Sequence, residues 1–369
     1  MTARWDLGLK VGDACFRQDG RSVMPASLSR VLPKDYLNSI LRAFPLDWSP
    51  KRGYRLPQSR LGPYHIEWDA GNGPYGEHWT DAMRDPAGVL LTGTARAYHP
   101  IRIAQFGLHS HARWWISRDE ADRRAYLAQA RWLADNARER NGVSGCLIFD
   151  FPWPKYGAAA GWISAMAQGE AISLLLRAAE AEGDDSYYEA ARNVANPFHF
   201  SVEEGGVVFL SRAGDTFLEE VAVKPASHIL NGHIFSLWGL LEIASLRPEK
   251  WIEQVASEAL STLRRRLNLY DAGYWSYYSL LGSPSGFRNV ALLKYHAFHI
   301  AQLRVTAALT GDQYFADTAR RWQEYADSVA CRRRVIANTV AGLVPGLLKR
   351  DHMGSGAIDM LERLGARGA

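Results

Sequence analysis

A repeat in texture constrains this chain more than any single residue does. From Tyr98 onward, long apolar-periodic segments alternate with shorter, more charged ones, and the alternation occurs four times. The long members read PIRIAQFGLHSHARWW, WISAMAQGEAISLLLRAAEAEG, ASHILNGHIFSLWGLLEIASL and VALLKYHAFHIAQLRVTAALTG. Their partners read ADRRAYLAQARWLADNARER, DSYYEAARNVANPF, PEKWIEQVASEALSTLRRRL and DQYFADTARRWQEYADSVA. Ile103-Ala104-Gln105, Met166-Ala167-Gln168 and Ile300-Ala301-Gln302 occupy equivalent places, and Gly183-Asp184 and Gly311-Asp312 mark equivalent turns. A spacing of about 65 residues, or twice that, is the signature of a repeated helical hairpin. A helix apolar nearly all round is covered on both sides, whereas one with a charged face borders water. The expectation is a mainly α fold: an (α/α) toroid or barrel of about four helical hairpins, with inner and outer rings. An α-solenoid obeys the same repeat logic. Polar residues gathered at the inner-helix starts, rather than along one concave face, favour the toroid.

Around this barrel, placed at residues 96–330, the texture differs. Residues 1–95 are rich in Gly, Pro and aromatics and poor in helical period. They read as an irregular, short-β segment packing on the toroid, with one short helix near Asp35–Ala43 and a strand or rim loop at Tyr64–Asp69. Between the second and third hairpins, PFHFSVEEGGVVFLSRAGDTFLEEVAVKP alternates, with turn signals at Gly205-Gly206 and Ala213-Gly214, and predicts a small β-hairpin excursion. Residues 331–369 read as an amphipathic helical tail with a basic flank, for which plain packing is favoured over a membrane-surface role.

The formal charge of +4 is small for 369 residues. It suits a locally basic cleft for an acidic ligand and argues against a nucleic-acid partner. The 13 Trp and 16 Tyr are numerous; most fill the core, although aromatic rings also stack on sugar faces. Cys15, Cys146 and Cys331 lie far apart with no CxxC pair, so neither a disulfide framework nor a zinc-binding knuckle is indicated. The chain opens without an apolar signal core, and no apolar run reaches membrane-spanning length. A cytoplasmic location follows as the default, and assembly as a homodimer stays open.

The inner-helix starts collect the chemistry. The first hairpin brings Tyr98, His99 and Arg102; the second brings Lys155, Tyr156, Trp162 and Gln168. The third brings Glu219, Glu220, His228, Asn231 and His233. The fourth brings Tyr278, Arg288, Asn289, Tyr295, His296 and His299, with Arg288 and Asn289 expected to open the helix. Histidines at i, i+3 can bind zinc, but no carboxylate or cysteine stands at matching spacing, so hydrogen-bonded histidines are the better reading. No metal or cofactor is expected. Glu219-Glu220 reads on its own as a solvated strand end. A tyrosine hydroxyl has an ordinary pKa of about 10, so it donates protons at neutral pH, and neighbouring cations favour its phenolate. Acid and phenol groups on opposing faces of a carbon, with Arg or Lys neutralising a substrate carboxylate, suit proton abstraction next to that carboxylate.

These residues also resemble a known family. Tyr270-Asp271-Ala272-Gly273, Tyr278, and Asn289 leading to Tyr295-His296-Ala297-Phe298-His299-Ile300 are similar to the C-terminal catalytic domain of D-glucuronyl C5-epimerases. So are WISAMAQGEAISLLLRA, EEGGV at 203–207, FLEEV at 217–221, ILNGHIFSLWGL at 229–240 and TARAYHPIRIAQFGL. The likeness covers roughly residues 60–330 in several separate motifs. It implies an (α/α) barrel and cofactor-free inversion at C5 of D-glucuronate toward L-iduronate in a heparosan-type, acidic saccharide. It implies Glu220, Tyr278 and Tyr295 as acid/base groups. Lys155 and Arg288 are candidates for the substrate carboxylate. Tyr98, His99, Arg102, Gln168 and Asn231 are candidates for sugar hydroxyls or, equally, for caps and ties between inner helices, and Asn289 is a further substrate-binding candidate. His296 and His299 are substrate-binding candidates that orient Tyr295 or depress its pKa, or else simply pack. Val221 stands where the family places a tyrosine, Ser279 where it places an aspartate, and the N-terminal segment is expected to be shorter than the family's β domains. A uronate polysaccharide lyase, a glycoside hydrolase with paired carboxylates and a non-catalytic glycan-binding relative are the competing readings.

Overall fold

The computed structural model describes residues 53–57, 61–68, 79, 83–93, 95–282 and 288–335. The expected helix at Asp35–Ala43, Asp69, and the tail from 336 onward lie outside the described residues. The chain divides into two compact units, 50–324, and 1–49 with 325–369. The account below concerns the first.

The four hairpins form as the texture predicts. Inner helices α1 (Pro100–Ser117), α3 (Ala165–Glu182), α5 (Leu230–Leu246) and α7 (Leu293–Thr310) alternate with outer helices α2 (Glu120–Asp135), α4 (Asp185–Ala195), α6 (Lys250–Arg266) and α8 (Gln313–Asp327). Successive inner helices pack on one another, α1 on α3, α3 on α5 and α5 on α7, giving the (α/α) toroid its chain-order sequence of hairpins. The repeated Gly-Asp pair does the same job twice. Gly183 (φ 63°) closes α3 and Asp184 accepts a hydrogen bond from Ser186 N–H at 2.9 Å to open α4. Gly311 (φ 71°) closes α7 and Asp312 accepts from Tyr314 N–H at 3.0 Å to open α8. A left-handed C-terminal glycine followed by an acidic N-cap satisfies orphan backbone groups on both sides of the turn.

Helices α3 and α5 meet backbone to backbone. A Cβ on Gly239 would sit 2.3 Å from Gly169 O, and one on Gly169 would sit 2.5 Å from the Cα of Ser236. Bare backbone at both positions lets the two helices meet. Residues 61–68 enter the same core: Trp68 stacks on Phe235 with ring centroids 6.0 Å apart, and Tyr64 meets Trp238 edge-on at 6.1 Å. An antiparallel bridge joins Tyr54 to Ile66. Beneath them Arg177 of α3 and Glu242 of α5 form a buried bidentate pair at 2.7 and 2.9 Å, with Arg177 Nε also donating to Gly62 O at 2.9 Å.

Short antiparallel sheets fill the connections. Strands β1 (Leu91–Thr92) and β2 (Ala97–Tyr98) pair, as do β6 (Val208–Leu210) and β7 (Thr216–Leu218), the expected hairpin excursion. Two expectations fail. ARER at 137–140 is not helix but strand β3, which pairs with β4 (Val143–Phe149), itself joined to β5 (Trp162–Ile163). The cause is Asn141-Gly142, both at positive φ (53° and 82°), the two-residue turn that tightens a hairpin. Likewise Arg288 and Asn289 do not open α7. They lie in β9 (Arg288–Val290), paired with β8 (Tyr277–Gly282). Ala291 N–H donates to Ser276 O at 2.9 Å and Trp275 Nε1 to Ala291 O at 2.8 Å, holding the chain extended until the helix begins at Leu293.

Candidate active site

Glu219 and Glu220 continue from β7. Ala165 N–H donates to Glu219 O at 2.9 Å and Ala222 N–H to Ile163 O at 3.2 Å, so the strip runs extended beside β5. Successive side chains on extended backbone point to opposite sides. Both carboxyls are buried, 0% and 4% exposed, which corrects the expectation of a solvated strand end. Glu219 turns to the Ser227–His228 loop. Glu220 turns to the start of α5, where Asn231 Nδ2 donates to its Oε2 at 3.3 Å. Gly232 makes room for it: a Cβ there would stand 2.5 Å from both the Cβ and the Oε2 of Glu220.

Three phenols and a cation surround that carboxyl. The turn Pro154–Tyr156 presents Lys155 and Tyr156. It is anchored by an aromatic cluster in which Trp153 lies 5.2 Å from Tyr156 and 5.3 Å from Trp162, and Trp162 stacks on Phe149 at 3.8 Å. Lys155 Nζ lies 5.2 Å from the Tyr156 ring and 5.5 Å from the Tyr278 ring. Tyr278, from β8, and Tyr295, from the first turn of α7, have ring centroids 4.6 Å apart. Tyr278 is electrostatically coupled to Glu220, Tyr156 and Tyr295.

The electrostatics follow from this burial. Desolvation raises Glu220 to about 7, with Glu219 adding to the rise and Lys155, Tyr278 and Asn231 opposing it. Burial, then the nearby Glu220 charge, pushes the Tyr156 and Tyr278 hydroxyls well above their ordinary range, so both remain protonated donors. Burial depresses Lys155, and Glu220 pulls it partly back. The site therefore pairs a carboxyl poised near neutrality with phenols that hold their protons.

The remaining candidates divide. Arg102 NH1 donates to Gln105 Oε1 at 3.3 Å, and Gln105 Nε2 to Glu170 Oε1 at 3.2 Å. Glu170, buried within α3, was not singled out by sequence reasoning; the signal was an acid in the apolar N-terminal half of the helix. Burial raises it well above the usual carboxylate range, with Glu220 contributing. Gly232, also missed, was legible only as a small residue at an inner-helix start. Tyr98 is 41% exposed, donates to Asp85 Oδ2 at 2.7 Å and stacks on Trp132, away from this cluster. Gln168 is spent on backbone: its Oε1 accepts from Leu147 N–H at 2.9 Å and its Nε2 donates to Gly145 O and Val194 O at 2.7 and 2.6 Å. Its role is the tie between elements rather than contact with a sugar. Asn289 Nδ2 donates to Ser279 Oγ at 3.4 Å. The side chain of Arg288 lies outside the described residues.

The histidines stand behind Tyr295. His296 Nε2–H donates to Trp322 O at 3.0 Å, so its Nδ1 accepts, from Ser276 N–H at 3.2 Å and Ser276 Oγ–H at 2.8 Å. Ser276 Oγ, its one proton used, accepts from His299 Nδ1–H at 2.8 Å. Both rings are thereby fixed as neutral tautomers, and burial lowers both, His296 to about 3. His233 is tied in the same way, accepting from Leu218 N–H at 3.1 Å and donating to Ala259 O at 3.2 Å. Among the described residues no group of three or more His, Cys, Asp or Glu could hold a metal ion, and no helix is long and apolar enough to cross a membrane.

Comparison with known proteins gives these residues a context. Residues 147–324 match a protein-family model described as D-glucuronyl C5-epimerase C-terminus. The chain is 30% identical over 290 residues to a Caenorhabditis elegans D-glucuronyl C5-epimerase, covering 69% of this chain and 46% of that protein. It is 27% identical over 202 residues to an uncharacterised Methanocaldococcus jannaschii protein, covering 54% and 63%. The chain thus spans about half to three-fifths of the length of these curated relatives. Among solved structures, an unsaturated glucuronyl hydrolase from Bacillus sp. GL1 matches at 18% identity and a TM-score of 0.40, over 60% of each chain.

Proposed function

We propose, for a chain that belongs through residues 147–324 to the D-glucuronyl C5-epimerase C-terminal family, that it inverts C5 of D-glucuronate residues in an acidic saccharide, toward L-iduronate. The observation that carries this reading is Glu220: a buried carboxyl near pKa 7 coupled to Tyr278, whose ring lies 4.6 Å from that of Tyr295.

The hydrogen at C5 is α to the C6 carboxylate. Removing it places a second negative charge on an already anionic group, so the barrier falls only if cations and donors meet that charge. Lys155, held beside the two phenols, supplies the cation. Glu220, ionised in a substantial fraction of molecules at neutral pH, takes the C5 proton as general base. A phenol then delivers a proton to C5 from the other face. Tyr295 is the proposed donor, with Tyr278 bridging it to Glu220 so that the proton gained on one side can compensate the proton lost on the other. Arg102, Asn231 and Asn289 are proposed to meet sugar hydroxyls, and His296 and His299 to hold the turn of α7 that carries Tyr295.

Proton NMR of glucuronate polymers incubated with the protein in deuterated water tests the reading. The expected result is loss of the C5 proton signal without 4,5-unsaturation. An unsaturated uronate product instead identifies a lyase, in which the C5 carbanion expels the C4 substituent.

A further inference from the structure

We infer that Glu219, clamped by the Ser227–His228 loop, is a positioning residue for Glu220, fixing where its carboxyl points. This rests on the reading of Glu220 as the base. Four donors converge on the Glu219 carboxyl. Ser227 N–H and His228 N–H reach its Oε2 at 3.1 Å each, Ser227 Oγ reaches the same atom at 3.3 Å, and His228 Nδ1–H reaches Oε1 at 2.5 Å. Acceptance from every side is what an acceptor-only carboxylate does.

The loop is built for the clamp. His228 holds φ at 48°, a left-handed conformation that a histidine adopts only when its surroundings enforce it. Its ring stacks on Phe217 at 4.0 Å and meets Phe209 at 4.9 Å, and its carbonyl accepts from Tyr270 OH at 2.8 Å. The strain serves to aim one backbone N–H and one ring N–H of a single residue at one carboxyl. Since Glu219 and Glu220 are neighbours with opposed side chains, locking the first fixes where the second can point.

Glu219 is one of several groups around Glu220. From the Pro154–Tyr156 turn come Lys155 and Tyr156, from α3 Glu170, from α5 Asn231, from β8 Tyr278 and from α7 Tyr295. Around Glu219 itself stand Ser227, His228, His233 and Tyr270. Among these, Glu219 is joined to Glu220 by a single peptide link. A like charge on a neighbouring group raises a carboxyl's titration midpoint by on the order of one pH unit.

The test is a carbon-13 NMR titration of the Glu220 carboxyl in protein labelled at glutamate, the resonance assigned by its loss in Glu220→Gln. In Glu219→Gln the midpoint falls by about one unit. In His228→Asn, which keeps the left-handed backbone accessible but removes a donor from Glu219, the midpoint rises. If Glu219→Gln fails to fold, His228→Asn carries the test alone. Midpoints unmoved in the variants that fold, or displaced in the same direction in both, overturn the inference. Wild-type C5 exchange decides separately whether Glu220 is a base at all, so the two readings fail independently.

Discussion

Gly232→Ala is the sharpest perturbation of the proposed chemistry, because it adds one methyl group and removes nothing. The new carbon would stand 2.5 Å from the Cβ and the Oε2 of Glu220, whereas ordinary contact begins at 3.4 Å. The difference, about 1 Å, must be taken up by Glu220 and by the strip of backbone that carries its Cβ, since Gly232 is fixed in the first turn of α5. The carboxyl then leaves the hydrogen bond that Asn231 makes at 3.3 Å. A displacement of about 1 Å at a reacting group costs on the order of 100-fold in rate, or about 2.7 kcal/mol of barrier. Overpacking costs about 1–3 kcal/mol of stability, partly offset because alanine favours helix over glycine by up to about 1 kcal/mol. The variant should therefore fold, melt within about ten degrees of the wild type, and exchange the C5 proton about 100-fold more slowly. A folded variant exchanging within threefold of the wild type would refute the placement of Glu220 at the reacting carbon.

Other outcomes follow from the same geometry. Glu220→Gln should abolish C5 exchange, and Tyr295→Phe should lower it by at least 100-fold while saccharide binding persists in a calorimetric titration. The rate of exchange should climb through a pH near 7 as Glu220 ionises, and the acidic limb should be absent from any residual activity of Glu220→Gln. Stability carries the opposite sign. Because burial raises Glu220 above its unfolded value of 4.5 to about 7, its contribution is fully present below pH 4.5 and is lost as pH rises through about 7. Glu220→Gln should then match the wild type at pH 4 and exceed it above pH 8, by up to about 3 kcal/mol in urea unfolding. Arg177→Met leaves Glu242 buried without its bidentate partner and should cost about 3–5 kcal/mol in the same assay, with little change in the KM for saccharide.

The hairpin repeat was legible because alternating apolar and amphipathic texture, Gly-Asp turns included, records what each helix faces. The site was legible in part. Glu220, Tyr278 and Tyr295 come together as the motifs imply, but Glu219 could not be read as buried, because two adjacent acids on a strand look solvated until four donors converge on one of them. Gln168 shows the converse: an inner-helix amide reads as a ligand until β4 and α4 claim both its N–H donors and one acceptor site. Arg288 and Asn289 were misplaced into helix because apolar spacing continues smoothly across Val290–Leu293, and only the pairing of β9 with β8 stops the helix there. Arg177 and Glu242 each sit in a largely apolar stretch of helix, and the partner of each lies 65 residues away, beyond any local pattern.

The central claim is that a carboxyl and a phenol act on one carbon of an acidic sugar from opposing sides. It is tested most directly by starting from both epimers. The protein is incubated in deuterated water, in one arm with a polymer of D-glucuronate and in the other with its L-iduronate counterpart, and C5 is followed by NMR. The account predicts deuterium entering C5 in both arms and the two converging on one mixture of epimers. Exchange that retains configuration in both arms, or no exchange across a panel of such polymers, would contradict it.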